Sequence, residues 1–480
     1  MSVTSPLHRH DLRWVQDRLG RTEPAWNREP SLPVLESIVR QQLSVPADSP
    51  CTISPFARGA FNQLYIIHTL DQEYLIRVTL PVQPRLKTLS EVATIQFVRA
   101  HASELVPRVL AYDADADPPE RDGLGFEWML MEKIAGSALE RRWQSMTWAA
   151  KVSLVKTVVV ILARLYGQPL SGIGNIYPTR PRTTADTAAF STPPPSSHAV
   201  GQIISMTFFW DDHFDQDVPR GPFRSSHDWL ASCLQFVLND AAKVIDRPPG
   251  APQRADSDSE DVNEDELEAQ ETHALVSRLA RLLPRVFPPS APDAPAEPTT
   301  IFHDDLSSQN VLVDASGTLV GLVDWECVSA LPLWRACTLP SFLLGRHRAD
   351  RPDHATYGKA ADGDEDGDEG EDATADKDGN GDWGEGGRPN SMYFEHLLEW
   401  EQTQLRAVFL EEMARVQPEW VEAHRAGVLR NDFYTAVMYC DDELCRRRVR
   451  QWVDHVERMA DEELHISKSG KVSSGRAGIA

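Results

Sequence analysis

The spacing of hydrophobic positions changes along the chain and divides it into two parts. Short runs with β-type alternation come first and surround one helical segment that begins near Thr88. After Gly136, longer segments repeat apolar residues with helical spacing. The β-type runs are 64–69, 74–80 and 127–131, and the helical segments are 143–166, 227–245, 273–283 and 392–411. This order predicts an α+β fold in which a small β-rich lobe precedes a large, mainly helical lobe.

The same pattern sets the expected boundaries. We expect an N-lobe over 51–134, a C-lobe over 135–465 and a tail over 466–480. Residues 1–50 place Trp14 and Trp26 among charged residues, and we expect them to form a helical extension packed on the main body.

Three segments carry too few apolar residues to contribute to a core, and we expect them to be disordered insertions at 180–197, 248–271 and 350–389. They also hold most of the net charge of −24. Residues 256–271 contain nine acidic and no basic residues, and residues 350–387 contain fourteen acidic and three basic ones. This acidic balance argues against a nucleic-acid partner, because binding to a phosphate backbone needs a basic surface.

Composition further predicts a cytoplasmic protein without a membrane partner. The first twenty residues carry charges where a signal peptide needs an apolar region. The most apolar helical window, 152–165, is shorter than a membrane span and contains Lys156 and Arg164. Six scattered cysteines without a CxxC pair indicate neither a disulfide framework nor a zinc ribbon.

The most informative stretch is IFHDDLSSQNVLVDASGTLVGLVDWE, which holds His303, Asp305 and Asn310 in the spacing HxDxxxxN. An apolar strand, a turn at 315–317 and a second strand follow, and Asp324 stands at the end of the second strand. Such a loop can aim one carboxylate at a hydroxyl while an amide oxygen reaches a metal, and the hairpin returns a second carboxylate to the same place. The alternative is that both aspartates only terminate a turn and a strand.

The segments HDDLSSQN and VDWE, together with RGPFRSSHDWL at 220–230, resemble the aminoglycoside phosphotransferase family, especially its large fungal branch. The resemblance implies a bilobal protein-kinase-like fold that uses ATP and Mg²⁺. It implies that Asp305 is the catalytic base, that Asn310 and Asp324 bind the metal, and that His303 supports the loop.

The N-lobe fits the same resemblance with one departure. The loop ARGAFNQLYII would cover the phosphates through Gly59 and Asn62, and an ordinary β-turn is the alternative for these two residues. The third strand, EYLIRVTLP, carries Arg77 where the family usually has lysine. Arginine keeps the charge but differs from lysine in length and geometry. The alternative for Arg77 is an exposed strand position.

The acid expected to hold Arg77 is Glu91 on the following helix, and Lys87 is a further cation nearby. Thr88 and Glu91 also have the spacing of a capping box, which would give Glu91 a purely local role. The segment GFEWMLMEKIAG resembles the hinge between lobes, with adenine bound around Met131, Glu132 and Ile134. An edge strand that ends at a glycine is the alternative.

The sequence therefore predicts an ATP-dependent phosphotransferase that acts on a hydroxyl of a small molecule. Acceptor-binding residues are expected around 208–229 and 325–334, where core packing is the competing explanation. The absence of DFG and APE argues against a regulated protein kinase. Two other functions stay open: a catalytically impaired nucleotide-binding scaffold, suggested by Arg77 and the single loop glycine, and an interaction protein that acts through its acidic insertions.

Overall fold

A computed structural model describes residues 11–17, 21–115, 123–179, 198–247, 259–357 and 391–469. The expected insertion at 180–197, the first part of the one at 248–271, most of the one at 350–389 and the tail beyond 469 lie outside these residues.

The strands are β1 (Leu12–Gln16), β2 (Thr22–Trp26), β3 (Cys51–Arg58), β4 (Asn62–Thr69), β5 (Glu73–Thr79), β6 (Val109–Asp113), β7 (Glu127–Glu132), β8 (Ser137–Ala138), β9 (Leu170–Ser171), β10 (Ile176–Pro178), β11 (His198–Val200), β12 (Pro298–Phe302), β13 (Val311–Val313), β14 (Leu319–Leu322) and β15 (Ser329–Pro332). The helices are α1 (Leu32–Leu43), α2 (Leu86–His101), α3 (Leu139–Arg142), α4 (Trp148–Tyr166), α5 (Met206–Phe209), α6 (Ser226–Ile245), α7 (Ser259–Val286), α8 (Leu333–Ala336), α9 (Ser391–Val416), α10 (Pro418–Ala426), α11 (Val428–Met438) and α12 (Glu443–Ser469).

The N-lobe is an antiparallel five-stranded sheet in the order β3-β4-β5-β7-β6, covered on both faces. One face packs against α1 through residues such as Ile76 and Val78. The other face packs against α2, and Met129 lies on that side. Arg77 pairs in register with Met129, which places it on the α2 side of the sheet.

The C-lobe is mainly helical, as the spacing of its apolar residues predicts. Helices α4 and α9 and the β13–β14 hairpin share one hydrophobic cluster, while α6, α7, α11 and α12 share another. Strand β12, which leads into the predicted catalytic loop, lies between β15 and β9. In the part of the chain that the structure describes, no helix has both the length and the apolar character needed to cross a bilayer.

The expectation of short helices over 1–50 is wrong for the first half of that segment. Strands β1 and β2 form an antiparallel hairpin, with Leu12 opposite Trp26, and a helix follows only at α1. Two aromatic contacts explain the hairpin: Trp26 packs on Phe126 and Trp14 on Trp210, each with ring centroids 5.2 Å apart. Because side chains alternate between the two faces of a strand, this short hairpin can place both tryptophans against their aromatic partners.

The expectation of disorder over 248–271 is wrong for residues 259–271, which form the first half of α7. Their acidic side chains meet basic ones on α12. Glu268 pairs with Arg446 at 2.9 Å, and Glu271 pairs with Arg450 at 2.9 Å. Acidic residues of α7 therefore form one side of a contact with α12. Composition alone does not reveal the basic side of this contact, which lies about 180 residues further along the chain.

Candidate active site

The β13–β14 hairpin brings Asn310 and Asp324 together. Gly317 forms its turn with a φ of +83°, a conformation that favours glycine. Beyond the last paired strand residues, the Val323 N–H donates to the Asn310 carbonyl at 3.0 Å. Val323 therefore lies opposite Asn310 at the open end of the hairpin, and Asp324 is the next residue along the chain.

Asn310 also holds Asp305. Its Nδ2 donates to the Asp305 carbonyl oxygen at 2.9 Å and to Oδ2 of the same residue at 2.8 Å. This orients the Asp305 carboxylate and leaves its other oxygen, and the amide oxygen of Asn310, directed away from the contact. Asp305 is exposed and Asn310 half-buried, so a ligand can reach both.

Asp324 has a left-handed backbone, with a φ of +65°. This conformation costs a non-glycine residue about 1–2 kcal/mol and is common at functional sites. The residue as a whole is exposed, but protein atoms surround its carboxyl group, and the reduced hydration raises its pKa to about 6. The charges of Glu326 and Asp305 also raise this pKa, and those of Arg77 and Lys87 oppose them.

His303 is buried beneath the loop. Its Nε2 donates to the Val323 carbonyl at 3.0 Å, and its ring lies edge-on to Trp325 at 4.8 Å. Burial lowers the pKa of His303, which favours the neutral ring. These are the contacts of a residue that ties the loop of Asp305 to the strand of Asp324.

Arg77 and Glu91 form a bidentate ion pair between β5 and α2, with residue exposures of only 4% and 2%. The alternative of an exposed strand arginine is therefore wrong, because α2 covers this face of the sheet. The capping box is also absent: α2 starts at Leu86, and the Thr88 hydroxyl inside it finds no partner among the described residues. The Arg77 Nε is likewise buried without an acceptor from those residues.

A second buried cation lies beside this pair. Lys87, 1% exposed, donates to Glu326, which follows Asp324 by two residues. Asn62 donates to the same glutamate oxygen at 2.6 Å. Burial would raise the pKa of Glu326, but Lys87, Arg77 and the hydrogen bonds outweigh it and hold the pKa at about 2.

Sequence reasoning did not assign Glu326, and it treated Lys87 only as a spare cation. One signal was available, since Lys87 is a charged residue one position after Leu86 at the start of a helix whose face is mostly apolar. Its partner lies 239 residues away, and nothing in the sequence links the two positions.

The β3–β4 turn uses its polar groups within the protein. The Gly59 N–H donates to the Asn62 carbonyl at 2.9 Å, and the Asn62 side chain bonds to Glu326 and Thr79. A Cβ on Gly59 would lie 4.0 Å from its nearest neighbour, so the turn does not require glycine. A turn is sufficient to explain Gly59, whereas Asn62 also makes a long-range contact with Glu326, and Phe61 anchors the turn edge-on to Phe209 at 5.3 Å.

The predicted hinge residues lie in three different environments. Met131 is buried in the shared core, and the Glu132 N–H donates to the Arg108 carbonyl at 3.0 Å, which ends β7. Ile134 lies against Gly321 of β14, where a Cβ would come within 2.7 Å of the Ile134 Cδ1. The hinge thus rests directly on the hairpin that carries Asp324.

A cavity of about 30 Å³ lies beside the catalytic loop, and Asp304 contributes to its wall. Most of the other lining side chains are apolar or aromatic, including Phe208, Trp229, Phe302 and Tyr434. Loss of hydration raises the pKa of Asp304, although the charges of His303 and Arg335 oppose this. Parts of both segments in which acceptor-binding residues were expected line this cavity, while Trp325 and Trp334 are buried in the core.

Two curated fungal proteins are similar to part of this chain. A curated subtelomeric hrmA-associated cluster protein of Aspergillus fumigatus is 25% identical over 333 residues, which cover 62% of this chain and 62% of that protein. The altered inheritance of mitochondria protein 9 of Zygosaccharomyces rouxii is 25% identical over 305 residues, 57% of this chain and 47% of that protein. The match to these relatives thus spans about half to three-fifths of their length.

Among solved structures, the streptomycin–ATP complex of APH(2″)-IIa aligns with 88% of this chain and 95% of its own, at 9% identity and a TM-score of 0.40. A thermostable mutant of APH(4)-Ia aligns with 88% of this chain and 99% of its own, at 13% identity and the same TM-score. The model of the phosphotransferase enzyme family matches residues 52–335, from β3 of the N-lobe to α8, and includes the whole β13–β14 hairpin. Because this match covers more than half of its 480 residues, the chain belongs to the phosphotransferase enzyme family, APH.

Proposed function

We propose that the protein transfers the γ-phosphoryl group of ATP to a hydroxyl of a small molecule. The observation that carries the proposal is the convergence of Asp305, Asn310 and Asp324 at one end of a hairpin, next to a buried Arg77–Glu91 pair. Phosphoryl transfer needs this combination of a positioned carboxylate, oxygen ligands for a metal and a cation for the phosphates.

Asp305 is the proposed catalytic base. Asn310 fixes one of its carboxylate oxygens at 2.8 Å, so the other carboxylate oxygen is free to act as base. It can accept the proton of the acceptor hydroxyl while the hydroxyl oxygen attacks the γ-phosphorus of ATP. Little covalent chemistry is asked of the protein, because orientation and charge neutralisation provide most of the rate enhancement in this reaction class.

The proposed magnesium ligands are the Asp324 carboxylate and the Asn310 amide oxygen. Both are hard oxygen donors, and two protein ligands suffice because Mg²⁺ retains water and shares the nucleotide phosphates. Bound magnesium would neutralise charge on those phosphates. Arg77, held by Glu91, is the proposed cation for the phosphates.

The proposed nucleotide site also includes the β3–β4 turn with Gly59 and Asn62, and the hinge at Met131, Glu132 and Ile134. The Gly59 N–H and the Asn62 side chain already bond within the protein. The rest of the turn backbone is therefore the proposed surface over the phosphates. The proposed acceptor enters beside Asp304. All six cysteines are free thiols, which supports a cytosolic location for the reaction.

A catalytically impaired nucleotide-binding scaffold is the second candidate. One observation favours it: Arg77 commits two of its nitrogens to Glu91, whereas a lysine at this position presents a mobile point charge. The aligned set of Asp305, Asn310 and Asp324 favours the active enzyme, because a scaffold has no need for a positioned base.

The deciding experiment compares MgATP binding and slow ATP hydrolysis by the wild-type protein with the variants Asp305→Ala and Asp324→Ala. We expect the wild type to bind and turn over MgATP, and Asp305→Ala to retain binding while turnover falls by about 10²- to 10⁴-fold. Binding with no turnover in any of the three proteins would support the scaffold. Failure of the wild type to bind at millimolar MgATP would contradict both candidates.

A further inference from the structure

Lys87 is among the most completely buried large side chains of the protein, although it carries an ammonium group. Its Nζ donates to Glu326, lies 3.4 Å from the Asn62 Oδ1 and sits over the Phe61 ring at 5.8 Å from the centroid. Burial of an ammonium group is unfavourable unless it is paired and hydrogen-bonded. The arrangement around Lys87 meets both conditions.

The partners of Lys87 come from distant parts of the fold. Asn62 opens β4, Lys87 lies in the first turn of α2, and Glu326 belongs to the C-lobe segment that follows Asp324. Asn62 is itself fixed, because the Thr79 hydroxyl donates to its Oδ1 at 3.1 Å while its Nδ2 donates to Glu326. These three residues therefore connect the N-lobe sheet and α2 to the metal-ligand segment, and we call them the interlobe clamp.

The segment on the C-lobe side has unusual backbone conformations. Asp324 and Cys327 both have positive φ values, +65° and +57°, and Glu326 lies between them. Conformations of this kind persist only where the surroundings hold them. Within the C-lobe, the Trp325 Nε1–H donates to the Leu322 carbonyl and the Ser329 hydroxyl to the Cys327 carbonyl. From the opposite lobe, the clamp contacts Glu326, and the Leu105 carbonyl accepts from the Leu322 N–H at 2.8 Å.

We propose that the interlobe clamp orders the backbone around Asp324, which makes Lys87 a positioning residue for the metal ligand. The proposal rests on the proposed function only in naming Asp324 a metal ligand. Without Lys87, the Glu326 carboxylate would face Asp324 with one neutralising contact fewer, and the clamp would hold the left-handed segment through Asn62 alone.

The protein offers a matched control in Lys151, which is also buried and also pairs with a glutamate. Its Nζ donates to both oxygens of Glu401 at 2.8 and 2.7 Å, and both residues lie within the C-lobe helices. Lys151→Met removes a buried ammonium from an equivalent pair that does not touch the segment around Asp324. The two lysine variants separate loss of stability from loss of local order.

The first test measures amide hydrogen exchange of segment 322–329 in the full-length protein without nucleotide. We expect Lys87→Met to accelerate exchange there by about tenfold or more, as loss of a charge-assisted hydrogen bond predicts, and Lys151→Met to change it by less than about twofold. Equal exchange in the two variants, or unchanged exchange in Lys87→Met, would overturn the proposal. If Lys87→Met does not fold, Glu326→Gln takes its place and should accelerate exchange in the same segment.

The second test is kinetic and uses Mg²⁺ concentration as the variable. We expect the half-saturating Mg²⁺ concentration for ATP turnover to rise about tenfold in Lys87→Met while kcat stays within about threefold, and Lys87→Arg to recover part of the difference. A fall in kcat alone would contradict a positioning role. If the wild type turns over no ATP, the proposed function fails, and the exchange experiment still decides the clamp.

Discussion

Lys87 and Lys151 are both buried and both pair with a glutamate, but their surroundings differ. The Lys151 pair is closed: Glu401 receives two hydrogen bonds from the lysine and one from the Trp143 Nε1 at 2.7 Å, and all three residues lie in the C-lobe. The Lys87 pair stands in a cluster that also contains Arg77, Glu91 and Asp324. Two cations there face three carboxylates.

The difference separates a structural ion pair from a charged site. In the Lys151 pair the charges balance, and donors surround the carboxylate. In the cluster around Lys87 one negative charge remains without a counter-charge. Asp324 is exposed, so a cation from solution can neutralise that charge. An imbalance of buried charge next to an open carboxylate, rather than burial of charge alone, is the feature that indicates ligand binding.

The largest effect on stability is expected from Lys151→Met. Loss of one partner leaves Glu401 with an uncompensated charge, and we expect the free energy of unfolding to fall by about 3–5 kcal/mol in urea titrations. The double variant Lys151→Met/Glu401→Leu should recover most of this loss but not all, since the Trp143 N–H then lacks its acceptor. A single-variant loss below about 1 kcal/mol would show that the pair is not a closed structural unit.

The next effect concerns pH and Glu127, a carboxyl near Lys87 that has no counterpart beside Lys151. Burial raises the pKa of Glu127 from 4.5 to about 7, against the opposing effects of the Thr88 hydroxyl, the Arg85 N–H and the Lys87 charge. The folded state therefore binds more protons than the unfolded state between these values, and stability falls as the pH rises through them. The shift corresponds to roughly 3 kcal/mol.

Glu127→Gln tests this interpretation, because glutamine can keep the Arg85 contact and offer an N–H to the nearby Thr88 hydroxyl. We expect the unfolding free energy of the wild type, relative to this variant, to decrease by roughly 3 kcal/mol between pH 5 and pH 8. Parallel pH profiles for the two proteins would mean that Glu127 does not titrate in this range.

A smaller effect is expected when Trp143 is replaced by Phe. The change keeps an aromatic ring near Lys151, which now lies 4.9 Å from the Trp143 ring, but removes the N–H that donates to Glu401. Loss of a hydrogen bond to a charged group should cost about 2 kcal/mol in thermal or urea unfolding. The exposed Trp148, replaced by Phe in the same way, is the control and should change stability by less than about 0.5 kcal/mol.

The smallest effect is expected at the surface. Arg21 pairs with Asp17 at 2.8 Å, but its side chain is 69% exposed. Arg21→Ala should change the unfolding free energy by about 0.5 kcal/mol or less, and less still at high salt. A larger, salt-independent loss would mean that exposed and buried ion pairs in this protein make similar contributions to stability.

The predictable part of the site was local in sequence. His303, Asp305, Asn310 and Asp324 fall within 22 consecutive residues, and one hairpin suffices to bring them together. The alternation in β5 predicted the side of the sheet for Arg77, and only the position of α2 decided that this side is buried. The two lobes followed from the change in hydrophobic spacing.

The parts that sequence reasoning missed depend on distant partners. The β1–β2 hairpin needs Phe126 and Trp210, and the first turns of α7 need the arginines of α12. Lys87 and Glu326 are an ordinary helix lysine and an ordinary loop glutamate until the lobes are assembled. Local composition reports the charge of a segment, while its structure depends on what neutralises that charge.

The contact between Ile134 and Gly321 has a mechanical consequence. The Ile134 side chain occupies the space where a Cβ on Gly321 would stand. Any rotation of one lobe against the other would therefore move Ile134 along the hairpin. Because Gly321 has no side chain, the Ile134 side chain packs directly on the backbone of β14. An alanine at Gly321 would push Ile134 away from the hairpin, so the space left by one missing methyl group limits how closely the two lobes pack beside the proposed nucleotide site.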